Sequence, residues 1–149
     1  MYRKIRKFAQ LEAGKKWLFI EAYARLALMR AAILTLPFKR LVRSLDQHNG
    51  AVAPGLDSRQ MAIALDIGEA VRYAAGNTPW ESACLAQVLT AQRMLSRRRI
   101  GGIFHLGAAI DGTADERLKA HAWLICGGRI LTGEAGHEAY KVLTTYRWK

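Results

Sequence analysis

The sequence predicts an α+β fold in one domain, with a helical N-terminal part, then a further helix packed on a small antiparallel sheet. Three observations carry this. Helix-favouring residues fill three long stretches before residue 100. After Gly101-Gly102 the pattern switches to short apolar and β-forming segments. No repeat, low-complexity tract or linker interrupts the chain, and 149 residues is one domain's worth of polypeptide. The expected domain is 1–149, with a basic helical part over 1–76 and a core over 77–149.

The first helix is expected from about Gln10 to Leu36. Ala, Leu, Arg, Glu and Met dominate there, and Pro37 marks the end. Trp17, Ile20, Ala24, Ala27, Leu28 and Ala31 form a charge-free stripe at helical spacing, expected to pack on the rest of the domain. A membrane-surface or partner-binding helix is the alternative. Residues 46–57 read as a loop, with turn signals at Asn49-Gly50 and Pro54-Gly55. Asp57 with Gln60 three residues later predicts a capping box for a helix reaching Ala75. Gly76-Asn77-Thr78-Pro79 breaks the chain before a helix from about Ser82 to Arg98, with Cys84, Val88, Ala91 and Leu95 on one face. Strands are expected at Ile103–Ile110, Ala120–Cys126, Arg129–Gly133 and Tyr140–Tyr146, with Gly127-Gly128 as a hairpin turn.

Charge is distributed unevenly. Residues 1–45 hold 11 basic and two acidic side chains, a net of +9, out of +11 for the whole chain. Such a field attracts an acidic peptide, protein, nucleic acid or anionic surface, or serves only solubility. No integral membrane insertion is expected, because Trp17 to Phe38 is broken by Glu21, Arg25 and Arg30. No signal-peptide pattern opens the chain, and Cys84 and Cys126 make no disulfide framework, so a cytoplasmic location is expected. No His, Cys, Asp or Glu set has metal-ligand spacing, and no phosphate-cradling glycine loop occurs, so no metal or cofactor is expected.

Cys84 falls in the opening turns of a helix, where free N–H groups and the helix dipole favour a thiolate and can hold an oxyanion. A small buried core residue is the plainer reading of a free Cys. His121, in Ala120-His121-Ala122-Trp123, opens a strand. A thiolate needs a base, and Cys and His distant in sequence often meet in space. Nucleophile on a helix N-terminus and base on a later strand is the arrangement of papain-like and transglutaminase-like cysteine enzymes.

The segments Pro79-Trp80-Glu81-Ser82-Ala83-Cys84-Leu85-Ala86-Gln87, Leu95 to Ile100, Phe104-His105-Leu106-Gly107 and Ala120-His121-Ala122-Trp123-Leu124 together resemble the leader peptidases of lasso-peptide biosynthesis. The match is good over residues 79–133 and looser before. The resemblance implies a transglutaminase-like fold whose catalytic core is 77–149. It further implies a cysteine peptidase that removes the leader from a ribosomally made precursor, with Cys84 as nucleophile and His121 as base. The implied partners are the precursor leader peptide, a small leader-binding protein (the recognition protein of such modified ribosomal peptides) and an ATP-dependent lasso cyclase.

The third catalytic member departs from the family pattern. Members often carry an Asp about 12 residues after the His; here Gly133 stands there and Glu134 follows. Glu134 orients the imidazole or is a solvated turn residue, and a dyad completed by backbone or by another residue stays open. Trp80 walls the cleft, lends its indole N–H to the oxyanion, or anchors the helix start; Gln87 sits a turn past Cys84 as a possible substrate contact. Trp123 is expected to pack in the sheet and Cys126 to be a structural thiol. His105 and His137 are candidate bases outside the family motif, and His48 reads as a loop residue. Alternatives are a transglutaminase-like acyltransferase, an inactive scaffold of the same assembly, or a basic nucleic-acid-binding module. The last lacks a zinc finger, an aromatic ribonucleoprotein motif or a recognition helix, so no nucleic-acid partner is expected.

Overall fold

The structure is a computed structural model that describes residues 13–78, 83–110 and 118–149. The basic run Arg3, Lys4, Arg6, Lys7, the helix start expected near Gln10, and Trp80 lie outside the described residues. The elements are α1 (Ala13–Thr35), α2 (Phe38–Leu41), β1 (Asp46–Gln47), α3 (Ser58–Ala75), α4 (Cys84–Arg97), β2 (Gly102–Ile110), β3 (Leu118–Cys126), β4 (Arg129–Thr132), a 3-10 turn (His137–Ala139) and β5 (Lys141–Trp148).

The sheet has the order β1-β5-β2-β3-β4, antiparallel throughout. α4 packs on β3 and β4, α3 packs beside it against β4, and α1 lies across α3 and α4 as an outer layer. The core between them is built from Leu26, Ile67, Leu89, Met94, Leu95, Phe104, Leu124 and Leu131. The α+β expectation holds, and the strands differ from their expected bounds by one or two residues at most ends. α2 and the β1 bridge were not foreseen: residues 46–57 read as loop, but Asp46 and Gln47 pair with Arg147 and Tyr146.

The local signals act as their chemistry demands. Asp57 Oδ1 accepts from the Gln60 N–H at 2.7 Å, and Gln60 Oε1 accepts from the Asp57 N–H at 3.1 Å, closing the capping box of α3. Gly127-Gly128 forms the turn between β3 and β4, with Gly127 at φ +57°. α4 is enclosed on more sides than its apolar stripe suggests, so Thr90 and Gln92 are buried along with Val88, Ala91 and Leu95.

The inward stripe expected for α1 is reversed. Trp17 is 71% exposed and Leu28 70%, and Ile20, Ala24 and Ala31 also face outward. The buried face is Ala22, Leu26 and Met29, flanked by Leu18, Phe19, Tyr23 and Ile33. That side offers apolar residues of its own, and its charges are paired. Glu21 and Arg25 lie off the charge-free stripe, but the Arg98 guanidinium at the end of α4 holds Glu21 at 2.7 Å and 3.4 Å, and Arg25 holds it at 3.1 Å. With its charges satisfied, that side of the helix turns inward. The Arg98 hydrogen bond holds the Glu21 carboxyl below its ordinary value despite the opposing effect of burial.

Candidate active site

Cys84 is the first residue of α4, and its N-cap, Ala83, has no side chain that can cap the helix. The thiol is half-buried and free. It therefore sits among first-turn N–H groups that lack an intrahelical acceptor, at the positive end of the helix dipole.

His121 comes from β3, paired with Gly107 of β2. Along β3, Ala122, Leu124 and Cys126 join the helix-side core, while His121, near the start of the strand, lines the cavities at the N-terminus of α4. The His121 ring stacks on Tyr140 at 4.9 Å and on Trp123 at 5.7 Å between centroids. Its Nε2 lies 2.7 Å from the Gly133 carbonyl oxygen. A carbonyl can only accept, so Nε2 carries the proton, and in the neutral ring Nδ1 is the nitrogen with a free lone pair.

Gly133 is required at its place. Its φ is +77°, and a Cβ there would meet the Ala122 carbonyl oxygen at 2.2 Å and the Trp123 Cα at 2.9 Å. The position where the family pattern has an Asp thus admits no side chain, and its main-chain oxygen contacts the imidazole. Glu134 is exposed, and among the described residues its carboxylate has no hydrogen-bond partner. Its main-chain oxygen accepts from His137 Nδ1 at 2.7 Å.

Cys84 and His121 line the same two cavities. One, of about 450 Å³, is walled mainly by apolar side chains, among them Phe38, Leu85, Leu106 and Leu143. The other, of about 550 Å³, holds Arg72, Gln87 and Glu134 along with Gly133 and Ala135. The thiol and the imidazole are not hydrogen-bonded to each other in this structure. Catalytic contacts of this kind often tighten only around substrate.

The structure thus gathers Cys84, His121, Glu134 and Gln87 round one site. The remaining histidines have other partners. His105 Nδ1 is 2.8 Å from Thr145 Oγ1, its ring packs on Trp123 at 5.4 Å, and burial lowers its pKa. His137 also packs on Trp123, at 5.7 Å. His48 is exposed, in the turn whose main chain bonds Thr145. Trp123 is buried in the sheet. Cys126 is fully buried with Sγ 3.8 Å from the Gly101 carbonyl, and burial pushes its thiol up to about 12, which leaves it unreactive.

Sequence reasoning missed Arg72, Tyr140 and Leu143. Arg72 donates to the Leu131 carbonyl from the end of α3 and lines the polar cavity. Nothing in its local sequence distinguishes it from a solvated helix arginine.

The chain matches the transglutaminase-like superfamily over residues 32–145. No curated protein and no solved structure gives a significant match. The matched span contains both Cys84 and His121. No helix among the described residues is long and apolar enough to cross a membrane.

Proposed function

The chain belongs to the transglutaminase-like superfamily, and from that premise we propose that it is a cysteine peptidase that removes the leader from a lasso-peptide precursor. Cys84 at the uncapped start of α4, sharing both cavities with a histidine whose Nδ1 is left free to accept a proton, carries the reading. The motif resemblance around both residues supports the substrate class.

In this mechanism His121 Nδ1 takes the proton of the Cys84 thiol. The thiolate adds to the carbonyl at the leader–core junction, and first-turn N–H groups of α4 stabilise the oxyanion. The imidazolium protonates the departing amine of the core peptide. Water then hydrolyses the thioester and frees the leader. The Gly133 carbonyl orients the ring throughout, the role an Asp side chain has elsewhere in the family. Glu134 lies beside this path as a charged wall of the polar cavity.

A small leader-binding protein and a cyclase complete the proposed assembly, with ATP used by the cyclase. The basic N-terminal third docks the acidic surface of the leader or its binding protein. The test supplies precursor and binding protein to wild type, Cys84→Ala and His121→Ala, and reads products by mass. Cleavage by wild type alone is expected; cleavage that survives Cys84→Ala overturns the mechanism. Adding a primary amine separates the acyltransferase reading, which predicts amide in place of free acid.

A further inference from the structure

β5 carries a bulge beside the thiol. Leu106 pairs with Thr144 and Gly107 pairs with Val142, so Leu143 has no partner on β2 and is the extra residue. Bulges re-aim side chains and are frequent next to functional sites. Here the bulge leaves Leu143 60% exposed and makes it and Thr144 both part of the apolar cavity next to Cys84, where regular alternation would send them to opposite faces. Gly107 opposite is held small, because a Cβ there would meet the Trp123 ring at 2.9 Å.

The rest of the wall agrees. Apart from Cys84, His121 and Thr144, its side chains are apolar, with one glycine. At about 450 Å³ the cavity falls within the usual range of ligand pockets, about 300–1,000 Å³. The second cavity at the same thiol is the contrasting one, with Arg72, Gln87 and Glu134. A peptide crossing Cys84 thus meets an apolar wall on one side and charged groups on the other.

We infer that the Phe38–Leu85–Leu106–Leu143 cavity is a specificity subsite that seats an aliphatic or aromatic side chain of the peptide next to the bond attacked at Cys84. The inference rests on the peptidase reading for its biological substrate, but the subsite itself can be read without turnover. The probe is a series of acetyl-glycyl-Xaa chloromethyl ketones with Xaa as Leu, Phe, Asp or Lys. The thiolate displaces chloride and forms a thioether at Cys84, located by peptide mapping. Each rate is divided by the same protein's rate with iodoacetamide, so changes in thiol reactivity cancel.

The Leu and Phe probes are expected to react at least about tenfold faster than the Asp probe, the discrimination an apolar pocket gives. Leu143→Asp changes an exposed side chain and is expected to lower the Leu rate several-fold while raising the Lys rate. Leu28→Gln, on the outer face of α1, keeps the wild-type ratios. Equal normalised rates for Leu and Asp in the wild type, or ratios untouched by Leu143→Asp, overturn the inference. A retained Leu preference with no hydrolysis of any precursor supports the subsite and counts only against the peptidase.

Discussion

Replacing Gly133 with Ala perturbs the site through the main chain alone. Two costs add. At φ +77° an L-residue is disfavoured by about 1–2 kcal/mol. In addition, the new Cβ would stand 2.2 Å from the Ala122 carbonyl oxygen and 2.9 Å from the Trp123 Cα, atoms of a paired strand that cannot swing aside. Relieving that contact costs a further ~1–3 kcal/mol and moves residue 133 away from β3. The same movement lengthens the 2.7 Å bond from His121 Nε2 to the Gly133 carbonyl. Gly136→Ala is the internal control. Its φ is +75° with nothing within 4 Å of a Cβ, so it carries the conformational cost alone. Urea denaturation should show a loss of ~2–5 kcal/mol for Gly133→Ala against ~1–2 kcal/mol for Gly136→Ala. Long-range 1H–15N spectra should show the Nε2-protonated tautomer of His121 in the control and a tautomer mixture in Gly133→Ala. Precursor cleavage should fall only in the latter. Equal denaturation midpoints and equal His121 spectra in the two variants would refute the assignment of an orienting role to this carbonyl.

On α1, Leu26→Ala should cost ~2–5 kcal/mol in urea melts because Leu26 is fully buried, while Leu28→Ala stays within about 0.5 kcal/mol; the opposite ranking would restore the stripe read from sequence. Glu21 contributes stability through a folded-state pKa below its ordinary 4.5, so that contribution is full above the ordinary carboxyl range and is lost as pH falls through and below it. Glu21→Gln should therefore cost about 1 kcal/mol at neutral pH and flatten the acid limb of a stability–pH curve, and an unchanged acid limb would remove the Arg98 pair from the account. In native protein a thiol reagent should label Cys84 alone, with Cys126 reacting only in denaturant; rapid labelling of Cys126 in native protein would contradict its burial. Changing Arg3, Lys4, Arg6 and Lys7 to Ser should weaken binding to the leader-binding protein and reduce its salt dependence, as read by titration calorimetry at two ionic strengths.

Much of this architecture was legible because its signals are local. Asp57 and Gln60 specify a helix start through two hydrogen bonds within one turn. Gly127-Gly128 specifies a hairpin, and the change from helical to strand patterning after Gly101 separates the layers. Cys84 and His121 were legible as chemistry-bearing types in recognisable surroundings. What escaped depends on contacts distant in sequence. The inward side of α1 carries Glu21, which is paired with Arg98 77 residues away, a partner no periodicity within the helix encodes. The partner of His121 is a main-chain atom, which no residue type announces. The apolar cavity includes a bulge in β5, and a bulge is a relation between two strands rather than a property of either.

The first helix divides its labour between two faces. Ala22, Leu26 and Met29 answer to the core, whereas Trp17, Leu28 and Leu34 are exposed and stand outside it. Substitutions on the outer face are therefore nearly free of folding cost, and selection can alter them without disturbing the thiol or its histidine. Two chains with the same interior can diverge in the company they keep by changing a handful of side chains on one helix, with the site beneath carried along unaltered.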